Sequence, residues 1–203
     1  VGVRANGLDS SMYTRLLDPG PEPFVFLQNR ALVSELTGEP CKVPLVLDLG
    51  DPPARENRVL FFTGASHWTR RWPRRRWKAL GRLLSPDIEP YEAPRNLPLP
   101  DFARLLASCR AVVTNDTMAL HLAAALDVPV VVIVNGISGR GGFWPYPPVL
   151  GKRVAIVGAE DKPTSMRFLP GLVASQIGQY RNLANVTTTL VIEAIKTIRA
   201  AGK

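Results

Sequence analysis

Cysteine and histidine, the residues that most often bind metals or close disulfides, are scarce in this sequence. The chain has two cysteines, Cys41 and Cys109, and two histidines, His67 and His121. The cysteines stand far apart and show no spacing typical of a disulfide framework or a zinc site. We therefore predict no metal site, and we interpret the thiols as small apolar side chains in a reducing, cytoplasmic environment.

A long hydrophobic run and an N-terminal leader are also lacking. The longest strongly apolar run, VPVVVIV at 128–134, is far shorter than the roughly 20 residues that a membrane-spanning helix needs. No secretory signal opens the chain, and because Val1 is an unusual first residue we expect the natural start to lie upstream. With 203 residues, 46% of them hydrophobic, the chain can bury one good core and part of a second.

Acidic residues are too few to balance the basic ones. The formal net charge is +8, and a sequence pI near 10.0 ordinarily indicates a polyanionic partner such as nucleic acid. Six of the 25 basic residues, however, lie in RRWPRRRWK at 70–78, which leaves 19 basic residues against 17 acidic ones elsewhere. The excess is therefore local. It either surrounds a bound anion or forms a nucleic-acid-binding patch with interleaved tryptophans.

The first 56 residues mix short apolar runs with turn-forming residues. We predict a strand at 23–29 (PFVFLQN) and a short helix at 30–38 that ends at Gly38. A second strand is predicted at 43–49 (VPLVLDL), followed by a linker at 50–57 that is rich in proline and charge.

A regular alternation of strands and helices begins after this linker. The strands are apolar along their whole length, as parallel strands are when both of their faces are buried. In the first helix Pro73 takes a favourable first position, and we interpret Trp72 and Trp77 as packing anchors. The pattern predicts a doubly wound α/β domain with a parallel sheet covered on two sides. Strands are predicted within 58–64, 110–115, 128–135 and 152–158, and helices at 73–84, 101–109, 117–126 and 187–202.

Polar loops follow the first three of these strands, at 63–72, 114–117 and 135–147. Ligands bind outside the carboxyl ends of parallel strands, so we expect all three loops to face one crevice. The helix opened by Asp116 and Thr117 directs its free amides and positive dipole end there, which suits a phosphate or diphosphate. His121 lies one turn into that helix, on the same face as Thr117, and can reach a ligand at the helix mouth.

The basic cluster and a glycine-rich loop favour the same interpretation. The three arginines at 74–76 fall in the first turn of a helix, where the macrodipole disfavours cations by about 0.3 to 1 kcal/mol each, and a bound anion would offset that cost. The glycines at 139, 141 and 142 around Arg140 allow close backbone approach to a ligand.

Two long segments of the chain resemble the motifs of a known family. The first is FFTGASHWTRRWPRRRWKAL at 61–80, and the second is VVTNDTMALHLAAALDVPVVVI at 112–133. They are similar to the HPGAS...KRWP...W..L segment and the VSNDTGxxHLAAALGVPVV signature of glycosyltransferase family 9, the ADP-heptose:lipopolysaccharide heptosyltransferases. GGFWPYP also resembles a GRFxPYP element of some members. The resemblance is strong over roughly 57–157.

The resemblance implies a GT-B fold, in which a C-terminal Rossmann-like domain binds a nucleotide-sugar donor and an N-terminal domain binds the acceptor, without a required metal. Residues 1–56 would then be a remnant of the acceptor-side domain plus the linker, and 57–203 the donor-binding domain with the C-terminal helix. The N-terminal domain would be incomplete, because two such domains need roughly 250 to 350 residues at about 100 to 200 each.

The resemblance also implies roles for individual residues. Arg70 stands where the family has the lysine that neutralises the departing diphosphate, and its guanidinium fork suits phosphate. Ala65 and Ser66 stand in the phosphate-contacting turn. No counterpart is assignable to the family's catalytic base, an aspartate near the start of the acceptor domain.

Asp116, Thr117 and His121 match donor-binding residues of the family, and we add Arg140 from the glycine-rich loop to the same site. Met118 replaces a glycine, so its side chain narrows the pocket, changes the sugar accepted or marks a domain that no longer turns over. The segment at 84–100, LSPDIEPYEAPRNLPLP, stands in place of a strand, a glycine-rich loop and a helix.

These observations predict an inverting glycosyltransferase. It would transfer a heptose or related sugar from a nucleotide diphospho-sugar, an ADP-sugar first of all, to a saccharide or lipid-linked saccharide acceptor in bacterial lipopolysaccharide or surface polysaccharide synthesis. The donor is a substrate, and no cofactor is expected. We expect a cytoplasmic protein whose basic cluster allows peripheral contact with the inner membrane. Two alternatives stay open: a nucleic-acid-binding module that uses Arg70–Lys78, and a non-catalytic donor-binding remnant.

Overall fold

The computed structural model describes residues 2–3, 16–17, 25–42, 46–66, 68–84, 88–94, 96–134, 153–158 and 183–200. Single turns of 3-10 helix lie at Trp68–Arg70 and Leu183–Asn185. The strands and α-helices are β1 (Gly2–Val3), β2 (Leu16–Leu17), α1 (Val25–Thr37), β3 (Glu56–Phe62), α2 (Arg74–Leu84), β4 (Glu89–Glu92), α3 (Leu99–Ser108), β5 (Cys109–Asn115), α4 (Met118–Ala125), β6 (Val130–Val134), β7 (Val154–Gly158) and α5 (Thr188–Ala200).

The strands from β3 onward form one parallel sheet in the order β4-β3-β5-β6-β7, while β1 and β2 form a separate parallel pair. From β3 the chain passes through α2 to β4 on one side, and then through α3 to β5 on the other side of β3. The direction of winding therefore reverses between β3 and β5, where Phe62 pairs with Thr114 at the carboxyl end. Such a reversal is where open α/β sheets bind ligands.

Alternate residues of the strands face two separate hydrophobic cores. Helices α2 and α5 cover one face of the sheet, and α3 and α4 cover the other. The predicted doubly wound parallel sheet is therefore confirmed, and its strands are apolar on both faces because both faces are covered. The first core includes Val59, Phe61, Val113, Ile133, Val157, Trp77, Leu80, Ile195 and Ile198, and the second includes Leu60, Val112, Val130, Val132, Phe102, Leu106 and Leu120.

The strand predicted at 23–29 is wrong for its described part, because α1 begins at Val25 and runs unbroken into the predicted short helix. A short apolar run does not by itself distinguish a strand from a helical turn, and here the helix formers that follow determine the outcome. The predicted end is confirmed. Gly38 has a φ of 74°, and its N–H donates to the Ser34 carbonyl at 2.9 Å.

The strand predicted at 43–49 is wrong over the described residues 46–49, which have no strand pairing. The N–H of Leu47 donates instead to the carbonyl of Ala125 at the end of α4, at 2.9 Å. Gly50, with a φ of 73°, then turns the chain. The predicted linker stays irregular as far as Arg55, whose guanidinium donates to the Asp127 carbonyl at 3.0 Å. This segment therefore fastens to the end of a helix rather than to a strand.

Part of the segment at 84–100 is a strand. β4 pairs in parallel with β3, from Arg58 opposite Glu89 to Phe61 opposite Glu92. The guanidinium of Arg58 also lies 4.7 Å from the centre of the Tyr91 ring. The two prolines that follow lead into α3, with Pro98 before its first residue. The sheet therefore has a fifth strand that the sequence pattern did not predict.

Trp72 and Trp77 are packing anchors, as predicted. Trp72 is 2% exposed, and its ring meets that of Trp77 edge-on with 5.1 Å between centroids. The indole N–H of Trp72 donates to the carbonyl of Val186, just before α5, at 3.0 Å. Trp72 therefore joins the start of α2 to the start of α5.

None of the described helices has the length and apolar character that a bilayer-spanning helix requires.

We expect Trp72→Phe to lower the free energy of unfolding by about 1 to 3 kcal/mol, because the buried carbonyl of Val186 loses its partner. Trp68→Phe is the matched control. Trp68 is 74% exposed, so its replacement should change stability by no more than about 0.5 kcal/mol. Urea unfolding followed by circular dichroism measures both variants. Equal losses in the two would contradict the assigned role of Trp72.

Candidate functional site

Two loops meet at the carboxyl edge of the sheet, where the winding reverses between β3 and β5. One joins β3 to α2 at 63–73, and the other joins β5 to α4 through Asp116 and Thr117. Both helices begin at this edge, so their amino-terminal ends, which carry partial positive charge, lie beside the reversal. We call this crevice the switch-point site.

The β3–α2 loop carries three of the predicted site residues. Ala65 and Arg70 are half-buried and Ser66 is exposed. The N–H of Arg71 donates to the Trp68 carbonyl at 3.1 Å, which closes a tight turn. The Nε of Arg71 donates back across the loop to the carbonyl of Ala65, also at 3.1 Å. Arg71 therefore bonds to two other residues of this loop, Ala65 and Trp68.

Asn115, the last residue of β5, ties both ends of this loop to the sheet. Its Oδ1 accepts the backbone N–H of Trp72 at 3.0 Å. Its Nδ2 donates to the carbonyls of Thr63 at 2.9 Å and Gly64 at 3.1 Å. The side chain is completely buried. One amide thus satisfies three backbone groups that the parallel sheet leaves without ladder partners.

Thr117 is the N-cap of α4. Its Oγ1 accepts the N–H of Ala119 at 3.3 Å and lies 3.0 Å from the hydroxyl of Thr114. Because the Thr114 hydroxyl donates to the Asn115 carbonyl at 2.7 Å, the Thr117 hydroxyl is the donor in the pair. Thr117 therefore has a capping role, which Thr114 orients. Its predicted contact with a donor stays a prediction.

Asp116 and Met118 flank the cap and differ in exposure. Asp116 is 7% exposed, whereas Met118, the first residue of α4, is 49% exposed. A buried carboxylate at a helix N-terminus is stabilised by the helix dipole. The Met118 side chain instead lies open at the mouth of the site. It is therefore placed to contact a ligand that enters the crevice.

His121 is half-buried, one turn into α4. Burial lowers the pKa of His121 below its ordinary value of 6.5, and the negative charge of Asp116 partly opposes this by raising the pKa. The imidazole is therefore uncharged at neutral pH, with one nitrogen able to donate and the other able to accept. Asp116 and His121 interact electrostatically, as expected for neighbours at the opening of the helix.

The side chains around the start of α2 are strongly basic. Arg71, Arg74 and Arg75 are exposed, and Arg70 is half-buried. Cations in the first turn of a helix oppose its dipole, and a bound anion would offset that cost. The switch-point site therefore combines two helix N-termini with several guanidinium groups, which suits a diphosphate.

The structure brings most of the predicted site residues to one edge of the sheet. Ala65, Ser66 and Arg70 lie on one loop, and the other four lie on the loop and helix beside it. Arg140 and the neighbouring glycines lie outside the described residues. The residues on the second loop and helix are Asp116, Thr117, Met118 and His121.

Two residues at this edge had no predicted role. Asn115 was visible as one polar residue more than a helix cap needs, but its reach to residues some 50 positions away was not. Glu92 ends β4, and its carboxylate accepts the hydroxyl of Thr63 at 2.9 Å. It went unnoticed because the strand before it was not predicted. Carboxylates after a neighbouring strand often bind ribose hydroxyls in nucleotide sites.

Among the residues that the structure describes, no group of three or more histidine, cysteine or acidic side chains is arranged to hold a metal ion. Cys109 is buried within the sheet, and burial raises the pKa of its thiol to about 11. Cys41 is only half-buried. Cys109 therefore acts as the small apolar side chain that was predicted, and Cys41 only in part.

Residues 93–164 match the model of glycosyltransferase family 9 (heptosyltransferase). The match contains α3 through β7, and thus Asn115 and the α4 side of the switch-point site. It confirms the resemblance predicted from the two motifs, although the basic loop at 63–73 lies outside the matched range. No curated protein sequence matches the chain.

Solved heptosyltransferases have the same fold. Escherichia coli heptosyltransferase WaaC with ADP-2-deoxy-2-fluoro heptose superposes with a TM-score of 0.67 at 20% identity, over 93% of this chain and 60% of that one. WaaC with ADP gives 0.64 at 19% identity, over 93% and 61%. E. coli ADP-heptose lipopolysaccharide heptosyltransferase II gives 0.52 at 17% identity, over 85% and 51%. The chain therefore has the predicted GT-B-type fold and spans about half to three fifths of these proteins.

We expect protonation of His121 to destabilise the fold. The pKa is lowered in the folded state, so the unfolded chain binds the proton first, and the free energy of unfolding falls as the pH drops through about 6.5. The loss stops growing below the folded-state pKa. His121→Gln should therefore show a shallower decline between about pH 7 and pH 5. Urea unfolding at several pH values measures the free energy of unfolding of both proteins. A difference between the two proteins that does not change with pH would contradict the prediction.

Asp116→Asn should lower the pKa of His121 further, because it removes the negative charge that raises it. The imidazole proton resonances of His121, followed by NMR as the pH changes, report this directly. The control is Asp101→Asn, which removes an exposed carboxylate from the start of α3. The coupling between Asp116 and His121 would be contradicted if the pKa of His121 shifted equally in the two variants, or if it rose in Asp116→Asn.

Proposed function

We propose that this protein is a glycosyltransferase whose switch-point site binds the nucleoside diphosphate part of a sugar donor. The observation that carries the proposal is the tie between the two loops. Asn115 fixes the arginine-bearing loop at Thr63, Gly64 and Trp72, directly beside the N-terminus of α4. The family match at 93–164 and the fold shared with WaaC support the same reading.

The diphosphate would lie between the N-termini of α2 and α4. Each helix terminus supplies unsatisfied N–H groups and a partial positive charge. Arg70 would neutralise the diphosphate as it departs, because charge-assisted hydrogen bonds from guanidinium groups are the strongest available to a phosphate. Ala65 and Ser66 would contact the phosphates through the turn that Arg71 braces.

The sugar and the leaving diphosphate would contact different residues of the β5–α4 loop and the first turns of α4. Attack at the anomeric carbon would expel the nucleoside diphosphate, whose developing charge Arg70 and the first turn of α4 would stabilise. Asp116 and neutral His121 would orient the donor through hydrogen bonds. A base from the acceptor side would deprotonate the incoming hydroxyl, and attack of its oxygen from the face opposite the diphosphate would invert the anomeric centre.

ADP-heptose or a related ADP-sugar is the donor we propose. The support is that the structurally similar WaaC has been solved with ADP and with ADP-2-deoxy-2-fluoro heptose. We propose a saccharide or lipid-linked saccharide acceptor, in the assembly of lipopolysaccharide or surface polysaccharide. Residues 57–203 would form the donor-binding domain, and 1–56 would belong to the acceptor side and the linker. Peripheral contact with a membrane through the basic cluster is part of the same proposal.

Calorimetric titration with ADP tests the donor site. We expect Arg70→Ala to weaken ADP binding by about 10- to 100-fold, since a hydrogen bond to a charged group contributes roughly 1.5 to 3 kcal/mol. Arg82→Ala, which removes an equal charge from the exposed last turn of α2, is the matched control. Parallel titrations with UDP and GDP identify the nucleobase that the site prefers. Undiminished binding in Arg70→Ala, or equal loss in both variants, would sink the role assigned to Arg70.

Met118→Gly tests whether Met118 narrows the sugar pocket. We expect the variant to bind ADP-heptose several-fold more tightly and ADP equally well, because only the sugar half of the donor gains room. Met118→Ala is the control for side-chain removal without the helix cost of glycine, which is about 1 kcal/mol. Calorimetry with both ligands measures the ratio of the Kd for ADP to the Kd for ADP-heptose. A ratio unchanged from the wild type would show that Met118 does not limit the space for the sugar.

A nucleic-acid-binding function is the second candidate, favoured by the exposure of Arg71, Arg74, Arg75, Lys78 and Trp68 on one stretch of chain. It predicts binding of a single-stranded oligonucleotide that weakens steeply with salt and is unchanged in Asp116→Ala. Absence of oligonucleotide binding at low salt, together with selective ADP binding that is lost in Asp116→Ala, would exclude it. Release of ADP from an ADP-sugar in the presence of acceptor separates an active enzyme from a non-catalytic remnant.

A further inference from the structure

Asn115 uses the hydrogen-bonding capacity of its side chain on one loop. The side chain is completely buried, and its amide makes three hydrogen bonds of 2.9 to 3.1 Å to the backbone of Thr63, Gly64 and Trp72. These residues bracket the arginine-bearing segment at both ends. Asn115 itself is the last residue of β5, the central strand of the sheet.

The chemistry at this position requires a side chain that donates and accepts at once. The Trp72 N–H needs an acceptor, while the Thr63 and Gly64 carbonyls need donors. Leucine would leave all three without a side-chain partner, and a carboxylate would put negative charge against two carbonyl oxygens. Helix capping does not explain the residue, because Thr117 caps α4.

We propose that Asn115 is a positioning residue for the diphosphate site: its amide sets the conformation of loop 63–72 in which Ser66 and Arg70 meet the diphosphate. The identity of the ligand in this inference rests on the proposed function. The three hydrogen bonds from the Asn115 amide to the loop, which we call the Asn115 clamp, do not depend on that function. Asn115 touches no ligand. It acts through the loop, and its loss is expected to weaken binding without removing any group that contacts the phosphates.

Asn115→Asp should make the affinity for ADP depend on pH. A purely structural role of Asn115 would not produce this dependence. Burial and the two facing carbonyls should raise the pKa of the introduced carboxyl group. When protonated, that group can accept from the Trp72 N–H and donate to one carbonyl, and so restore most of the clamp. The variant should therefore bind ADP weakly at high pH and regain affinity as the pH falls.

Other groups near the clamp also titrate or carry charge. Asp116 follows in sequence, His121 lies on α4, Arg70 and Arg71 lie on the loop itself, and Glu92 on β4 bonds to Thr63. The ADP phosphates titrate as well. The informative quantity is therefore the ratio of the variant's Kd to the wild-type Kd at each pH, in which these shared contributions largely cancel.

The experiment is calorimetric titration of the full chain with ADP from pH 5.5 to 8, using the wild type, Asn115→Asp, Asn115→Ala and Asn57→Asp. Asn57 lies exposed at the amino end of β3 and controls for the added charge. We expect Asn115→Asp to bind about tenfold more weakly than the wild type at pH 8, with most of that gap closed at pH 5.5. Asn115→Ala should stay weak throughout, and Asn57→Asp should match the wild type.

Hydrogen exchange of the Trp72 amide in the wild type keeps the test independent of variants that fold poorly. If loop opening abolishes binding, ADP must slow this exchange by a factor of 1 + [ADP]/Kd, which reaches about 100-fold at 100 times Kd. An amide that exchanges equally fast with and without ADP would overturn the inference, as would Asn115 variants that bind like the wild type or lose affinity equally at every pH. Absence of ADP binding by the wild type would instead overturn the proposed function.

Discussion

The pairing of β3 with β5 is the constraint on which the rest of the molecule depends. The chain winds outward from β3 to β4 and then returns past β3 to β5, so the loops after β3 and β5 lead to helices on opposite faces of the sheet. Their register, with Phe62 beside Thr114, brings the end of one strand level with the polar run that ends the other. A slip of one residue would turn Thr114 and Asn115 to the opposite faces of the sheet and remove both from their partners. Fold and site are thus specified by the same set of backbone hydrogen bonds.

One group of polar side chains at the switch-point site holds the backbone. Asn115, Thr114 and Thr117 bond to backbone groups or to one another, and burial makes each of these bonds costly to break. Arg70, Asp116 and His121 lie on the two segments that this framework joins. The framework is neutral, while the groups it presents are charged or titratable. Preorganisation of this kind lets a site bind an anion with little loss of conformational entropy on binding.

The extent to which this structure could be predicted differs from part to part. The sheet after residue 57 was predictable because long Val-rich runs alternate with amphipathic helices, and the cap at Thr117 follows from local chemistry. The strand predicted at 43–49 failed because Leu47 bonds to the end of α4, a partner about 80 positions away that no local pattern reveals. β4 was missed because a four-residue edge strand flanked by prolines has little periodicity. The clamp by Asn115 was hidden for the same reason as Leu47: its partners are near in space and distant in sequence.

Trp72 belongs to the β3–α2 loop through its backbone and to the hydrophobic core through its indole. The backbone N–H is held by Asn115 on the sheet, and the indole N–H is held by Val186 at the entry to α5. Trp72 therefore links the loop at the crevice to the segment that leads into α5. We expect this link to couple formation of the loop to docking of α5. A molecule bound in the crevice would, by linkage, also protect the far helix from local unfolding, although it never touches that helix.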